Sequence, residues 1–152
     1  MSNTELAAKL PDDIDTVIVA FPDLYGRLVG KRFTANFFRD AVAAHGTHAC
    51  DYLVTVDMEM EPVEGYAFAN WNKGYGDFHM VPDATTFRVL SWLPQTALVL
   101  CDLHDHQHAL VPVAPRSLLR SQVARAETMS FTVMAGSEAE YYSYQQSYQE
   151  IA

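Results

Sequence analysis

The carboxylates of Glu138-Ala139-Glu140 stand two residues apart, and on an extended strand residues i and i+2 project from the same face. Held that close, two like charges repel unless an arginine or a cation lies between them. A hard divalent ion such as Mg2+ or Mn2+ takes oxygen ligands of this kind and bridges them to phosphates. The flanking Phe131, Val133, Met134, Tyr141 and Tyr142 predict a strand over Phe131 to Tyr142 within a fold. The competing reading of so short a motif is an exposed acidic strand face.

Two other segments carry residue types capable of chemistry. His104, His106 and His108 alternate, which invites a metal site, yet Asp105 to Gln107 reads as a hairpin turn. A solvated tip on which the three imidazoles do not converge is therefore expected. Asn70-Trp71-Asn72-Lys73-Gly74-Tyr75-Gly76-Asp77 is aromatic and glycine-rich, as a binding loop or a structural turn would be. It lacks the Gly-Lys-Ser/Thr ending of a P-loop. Cys50 and Cys101 fit no zinc or redox spacing and read as buried free thiols.

Composition narrows the classes. Hydrophobic residues make up 49% of the 152 residues and charged residues 19%, which suits a globular chain. The net charge of -9 opposes non-specific nucleic-acid binding, which needs a positive footprint. It leaves room for a nucleoside triphosphate whose charge a metal offsets. No apolar run reaches the roughly 18 residues of a membrane helix, and Met1 to Leu10 lacks the apolar core of a targeting segment. A cytoplasmic protein is expected.

The elements that must position these residues are legible in outline. Ala7 to Leu10 closes a short helix before Pro11 and the Asp12-Asp13 pair. The β-branched run Thr16 to Phe21, the turn Pro22 to Gly26 and the alternating Arg27 to Phe33 predict a β-hairpin. Thr34 N-caps a helix over Ala35 to Ala44 with the stripe Phe37, Phe38, Ala41 and Val42, and Gly46 is its C-cap. Extended runs follow over Tyr52 to Met58, Thr86 to Leu90 and Thr96 to Leu103, with Ala109 to Val113 returning from the histidine turn. Between them, Glu59 to Pro82 is a long connection of the kind kept for function. Pro115 opens a helix with the stripe Leu118, Leu119, Val123 and Ala126.

Several stretches, in order, resemble the glutamine synthetase family. Asp23-Leu24-Tyr25-Gly26-Arg27-Leu28-Val29-Gly30-Lys31-Arg32 is similar to an early hairpin of that family. Gly76-Asp77-Phe78-His79-Met80-Val81-Pro82-Asp83-Ala84-Thr85-Thr86 is similar to its D-x-x-x-x-P-D-x-x-T segment. Trp92, the strand Ala97 to Asp102 and Ala114 to Leu119 follow. Gly136-Ser137-Glu138-Ala139-Glu140-Tyr141-Tyr142 then resembles G-x-E-x-E-F/Y-x-x-F/Y.

The resemblance implies an α+β chain with a β-grasp-like N-terminal domain over residues 1–113. Residues 114–152 would begin a catalytic domain, incomplete here, as a truncated helix-strand start. It implies a ligase of nitrogen metabolism that phosphorylates the γ-carboxylate of glutamate with ATP and then joins ammonia or a small primary amine. Glu140 would serve the metal nearer glutamate and Glu138 the metal at the phosphates, either Mg2+ or Mn2+. Asp77, with Trp71, matches a loop lent to the neighbouring subunit of a homo-oligomer, with no nucleic-acid or membrane partner. The segment Glu64 to Asn70 departs from the family's F-D-G-S-S-like stretch, whose aspartate helps capture ammonium, and this favours an organic amine at least as much as ammonia. The remaining ATP and glutamate groups would lie beyond Ala152, leaving these 152 residues inactive alone. The alternative is a non-catalytic binding or oligomerisation module derived from such a protein.

Overall fold

The computed structural model describes residues 3–151. A first helix, Asn3–Lys9, ends before Pro11 as expected; Met1 and Ser2 lie outside the described residues. The β-branched run forms β1 (Thr16–Pro22), which turns at Asp23 to Gly26 into antiparallel β2 (Leu28–Thr34). Gly26 takes a positive φ of 80°, a conformation that glycine adopts without steric cost. The Thr34 side chain caps the next helix by accepting from the Phe37 amide.

That helix runs from 35 to 45, with a π-helical stretch over Phe38–Val42. The widened turns shift the apolar stripe. Phe38, Val42 and Ala43 are buried, whereas Phe37 is 53% exposed and stacks on Phe33 instead. Gly46 ends the helix with φ 69°.

The extended run expected at Tyr52 to Met58 lies earlier, as β3 (Thr47–Cys50), and Asp51–Val54 is a 3-10 turn. The long connection also contains an unforeseen strand, β4 (Asp77–Pro82), alternating Phe78 and Met80 into the core with Asp77 and His79 away from it. A short β5 (Arg88–Val89) and the nine-residue β6 (Thr96–His104) complete the sheet. The order is β2-β1-β6-β4-β3, with β5 also on β6 and a parallel β1–β6 pair at its centre. Past His104 the chain turns, and its return is a single bridge, His104 to Leu110, rather than the expected second strand.

The core lies between this sheet and the first two helices. Val17, Val19 and Phe21 of β1 and Val99, Cys101 and Leu103 of β6 meet Leu6, Phe38 and Val42 there. Phe21 meets Phe78 edge-to-face at 5.2 Å. Cys101 is buried as expected, while Cys50 is only partly so.

The helix Pro115–Thr128 starts with Pro115 in its first turn, as foreseen, but none of its residues is buried. Leu118 and Leu119 are 48% and 65% exposed. The strand expected over Phe131 to Tyr142 is not formed, and 131–144 carry no regular structure. A strand needs a neighbour for its backbone groups, and no described segment pairs with this one. A short final helix spans Tyr148–Ile151. No helix among the described residues is long and apolar enough to cross a membrane.

Gly30 faces Ala20 across the hairpin, and a Cβ there would collide with the Val19 carbonyl and the Ala20 Cα. Gly30→Ala should destabilise the chain by about 1–3 kcal/mol in chemical denaturation. Gly136→Ala, with open space around it, should stay within about 0.5 kcal/mol of the parent. Equal effects at the two positions would mean that β2 does not sit on β1 as described.

Candidate functional site

The long connection between β3 and β4 builds a concavity. It is anchored at its start by Asp23, whose carboxylate is 1% exposed and accepts from the amides of Tyr25 and Arg27 and from Arg27 Nε at 2.7 Å. The Arg27 guanidinium reaches on to the carbonyls of Asp57 and Met58, tying the hairpin turn to the loop. Burial pushes the Asp23 carboxyl up, and these hydrogen bonds and the arginine charge more than offset it, so its pKa is lowered. Further along, Asn70 accepts from the Lys73 amide and caps the 3-10 turn Trp71–Lys73. The Lys73 amine donates to the Ala67 carbonyl.

Glu64, Tyr66, Asn70, Trp71 and Tyr75 line a cavity of about 610 Å³ on this loop. Trp71 is 82% exposed and meets Tyr75 edge-on at 6.2 Å, and Tyr75 meets Tyr52 at 5.5 Å. Such a wall of aromatic faces beside a carboxylate suits an apolar or cationic ligand group.

Asp77 opens β4, exposed, opposite Cys50. Beneath it lies a residue that motif reading passed over. Among the described residues Asp51 Oδ1 is buried with no hydrogen-bond partner; desolvation first, with the nearby Asp77 charge, raises the Asp51 pKa against the lowering effect of a Gly76 backbone hydrogen bond. No spacing in the sequence pointed to it, because its burial comes from the returning chain at Gly76.

A second arrangement joins the helix Pro115–Thr128 to the sheet. Arg116 bridges Asp83 at 2.7 Å and Asp102 at 3.1 Å, and Arg120 reaches Asp102 at 2.8 Å. Asp83 also accepts from the Thr85 amide and hydroxyl. Burial acts to raise its pKa, but the Thr85 hydrogen bonds and Arg116 outweigh that, so the net shift is downward.

Glu138 and Glu140 are both exposed, in the irregular segment after that helix. The structure brings neither of them to Asp77 in any hydrogen bond or ion pair. Among the described residues no three His, Cys, Asp or Glu side chains converge on a metal position. The donor chemistry of the pair suits a hard dication, but the set is incomplete. The histidine turn is a solvated tip as expected, with His104 Nδ1 bonded to the His108 carbonyl at 2.9 Å.

No family model matches the chain. It is 46% identical over 137 residues to gamma-glutamylethanolamide synthetase GlnA4 of Streptomyces coelicolor, covering 90% of this chain and 30% of that protein. It is 32% identical over 130 residues to a glutamate–isopropylamine ligase of a Pseudomonas species, covering 86% and 28%. A solved GmaS/ADP complex superposes with a TM-score of 0.60 at 24% identity, covering 84% of this chain and 26% of that one; this likeness speaks to the fold. The chain thus spans about 30% of the length of the curated relatives it matches.

Two measurements test the electrostatics. Because the folded pKa of Asp83 lies below its ordinary 3.8, its ionised form contributes stability above that pH and loses it as the pH falls through the folded value. Arg116→Ala should cost about 1–3 kcal/mol at pH 7 and flatten the stability curve below pH 4; an unchanged acid limb would rule the bridge out. By carboxyl NMR, Asp51 should titrate above its ordinary 3.8, and Asp77→Asn should bring it down. An Asp51 titration at or below that value would mean that the loop does not close over it.

Proposed function

We propose that this chain, which belongs to the glutamine synthetase family, is the amino-terminal portion of an ATP-dependent γ-glutamyl-amine ligase. The reaction is phosphorylation of the glutamate γ-carboxylate followed by attack of a small primary amine on the acyl phosphate. The observation that carries it is the 46% identity over 137 residues to a synthetase named for γ-glutamylethanolamide. The second relative is named for isopropylamine, another small primary amine. Both support an organic amine over ammonia, as does the departure at Glu64 to Asn70 from the ammonium-capturing stretch. The aromatic wall of Tyr66, Trp71 and Tyr75 is consistent with an acceptor that carries carbon.

Residues 1–113 are the β-grasp-like domain. This reading is supported by the central parallel β1–β6 pair, the flanking hairpin and the helix that follows it. The boundary near 113 and 114 is supported by burial: Ala114 is 2% exposed, and no described residue after it is buried. The segment 114–152 then belongs to the catalytic domain, fastened to the sheet by Arg116 and Arg120. Asp77 serves a neighbouring subunit of a homo-oligomer in the cytoplasm, from the exposed end of the loop.

Glu138 and Glu140 hold Mg2+ or Mn2+, Glu138 on the phosphate side and Glu140 on the glutamate side. These two carboxylates would hold such an ion, and it would supply positive charge against the transferring phosphoryl group. A hard dication takes six or more oxygen ligands when fully coordinated, so groups outside these residues complete the centre. The incomplete donor set supports a chain that does not turn over by itself.

The purified 152-residue chain should release no ADP from ATP with glutamate and any amine. Metal-dependent turnover by it would refute the incomplete-site reading. The intact mass in its own cells identifies the natural polypeptide. Should that mass exceed this chain's, the longer protein should prefer ethanolamine or a short alkylamine to ammonia and lose at least about 100-fold activity in Glu140→Gln. Equal or better turnover with ammonia would sink the amine-ligase assignment.

A further inference from the structure

Three antiparallel strands each place a histidine in one row of the sheet. His48 of β3 pairs directly with His79 of β4, and His79 pairs directly with His104 of β6. Directly opposed residues share a face, with Cβ atoms about 4.5–5.5 Å apart. Phe78 and Met80 point into the core, so the row lies on the opposite face, half-buried at His79 and His104 and exposed at His48. His48 stacks on His79 at 4.8 Å and 17°, and His108 meets His79 edge-on at 6.3 Å.

Two of these rings have their proton placed by the backbone. His79 Nε2 lies 2.6 Å from the His45 carbonyl, and His104 Nδ1 lies 2.9 Å from the His108 carbonyl. A carbonyl only accepts, so each of those nitrogens is the donor. In the neutral ring the other nitrogen then carries the lone pair: Nδ1 of His79 and Nε2 of His104. A ring N–H donated to a backbone carbonyl is the outer-shell arrangement that fixes the tautomer of a metal-ligating histidine.

We propose that His48, His79 and His104, with His108 beside them, capture a borderline divalent transition-metal ion of the Zn2+ class. Imidazole ligands favour zinc, copper and nickel over the hard ions that carboxylates take, so this site is chemically distinct from Glu138 and Glu140. Among the described residues no three such groups already meet at a point, so capture requires His48 to turn out of its stack. Among the described residues its exposed ring has no hydrogen bond that would oppose the turn. The ion would pin the edge strand β3 to β4 and β6, two residues from Asp77.

The test is equilibrium dialysis of the purified protein against Zn2+ with excess Mg2+ present to occupy oxygen sites, together with thermal unfolding in the same buffers. The protein should retain zinc stoichiometrically, and its Tm should rise with Zn2+ but not with more Mg2+. Binding should weaken on acidification, because a protonated imidazole has no lone pair to offer a metal ion. His48→Ala and His104→Gln should each weaken binding about tenfold or more while keeping the parental circular dichroism. His106→Asn, on the turn and outside the row, should bind as the parent does. Failure of the parent to retain zinc would overturn the proposal. Equal loss in His106→Asn, or undiminished binding in a well-folded His48→Ala/His104→Gln double variant, would overturn it as well.

Discussion

The backbone ladder of β6 is the constraint on which the other elements depend. Its first half takes β1 on one side, parallel, and β5 on the other, while its second half takes β4. The β1–β6 pairing joins residues 16–20 to residues 96–100, so the sheet closes only after most of the chain has been drawn together. Val99 and Cys101 at its centre are fully buried and receive the helices from one face. Burial also pushes the Cys101 thiol far above its ordinary range, leaving it an apolar core residue without nucleophilic character.

From that strand the polar features follow at its margins. Asp102 lies on β6 and receives both Arg116 and Arg120, so the helix that leads to Glu138 and Glu140 is held by charge rather than by apolar packing. Leu118 and Leu119 on that helix remain exposed. At the other end, β4 carries Asp77 and His79 one pleat apart. The aromatic-lined loop therefore lies between the edge strand β3 and β4, and β3 and β4 both carry the histidine row.

The loop itself is ordered by side chains that answer its backbone. Asp23, Asp57 and Asn70 each accept amide protons from their own neighbourhoods. Arg27 spans from the hairpin to the carbonyls of Asp57 and Met58. This is the usual way in which a long connection acquires a shape without a sheet of its own.

Local chemistry determined much of this from the sequence by itself. The β-branched run at Thr16, the cap at Thr34, the glycine after the helix and the proline opening the last long helix each act within a few residues, and each appears where it was read. The ordered motifs around Asp23, Asp77 and Glu138 likewise pointed to the family without a fold. Tertiary structure decided what depends on a distant partner. It placed β3 at Thr47 rather than Tyr52, made β4 out of apparent loop, and turned Phe37 outward through a widened helical turn. It left Glu138 and Glu140 off any strand, because strand hydrogen bonds must be shared with a second chain segment. It also buried Asp51 Oδ1 and aligned His48, His79 and His104, since desolvation and strand register arise only when residues far apart in the chain are brought side by side.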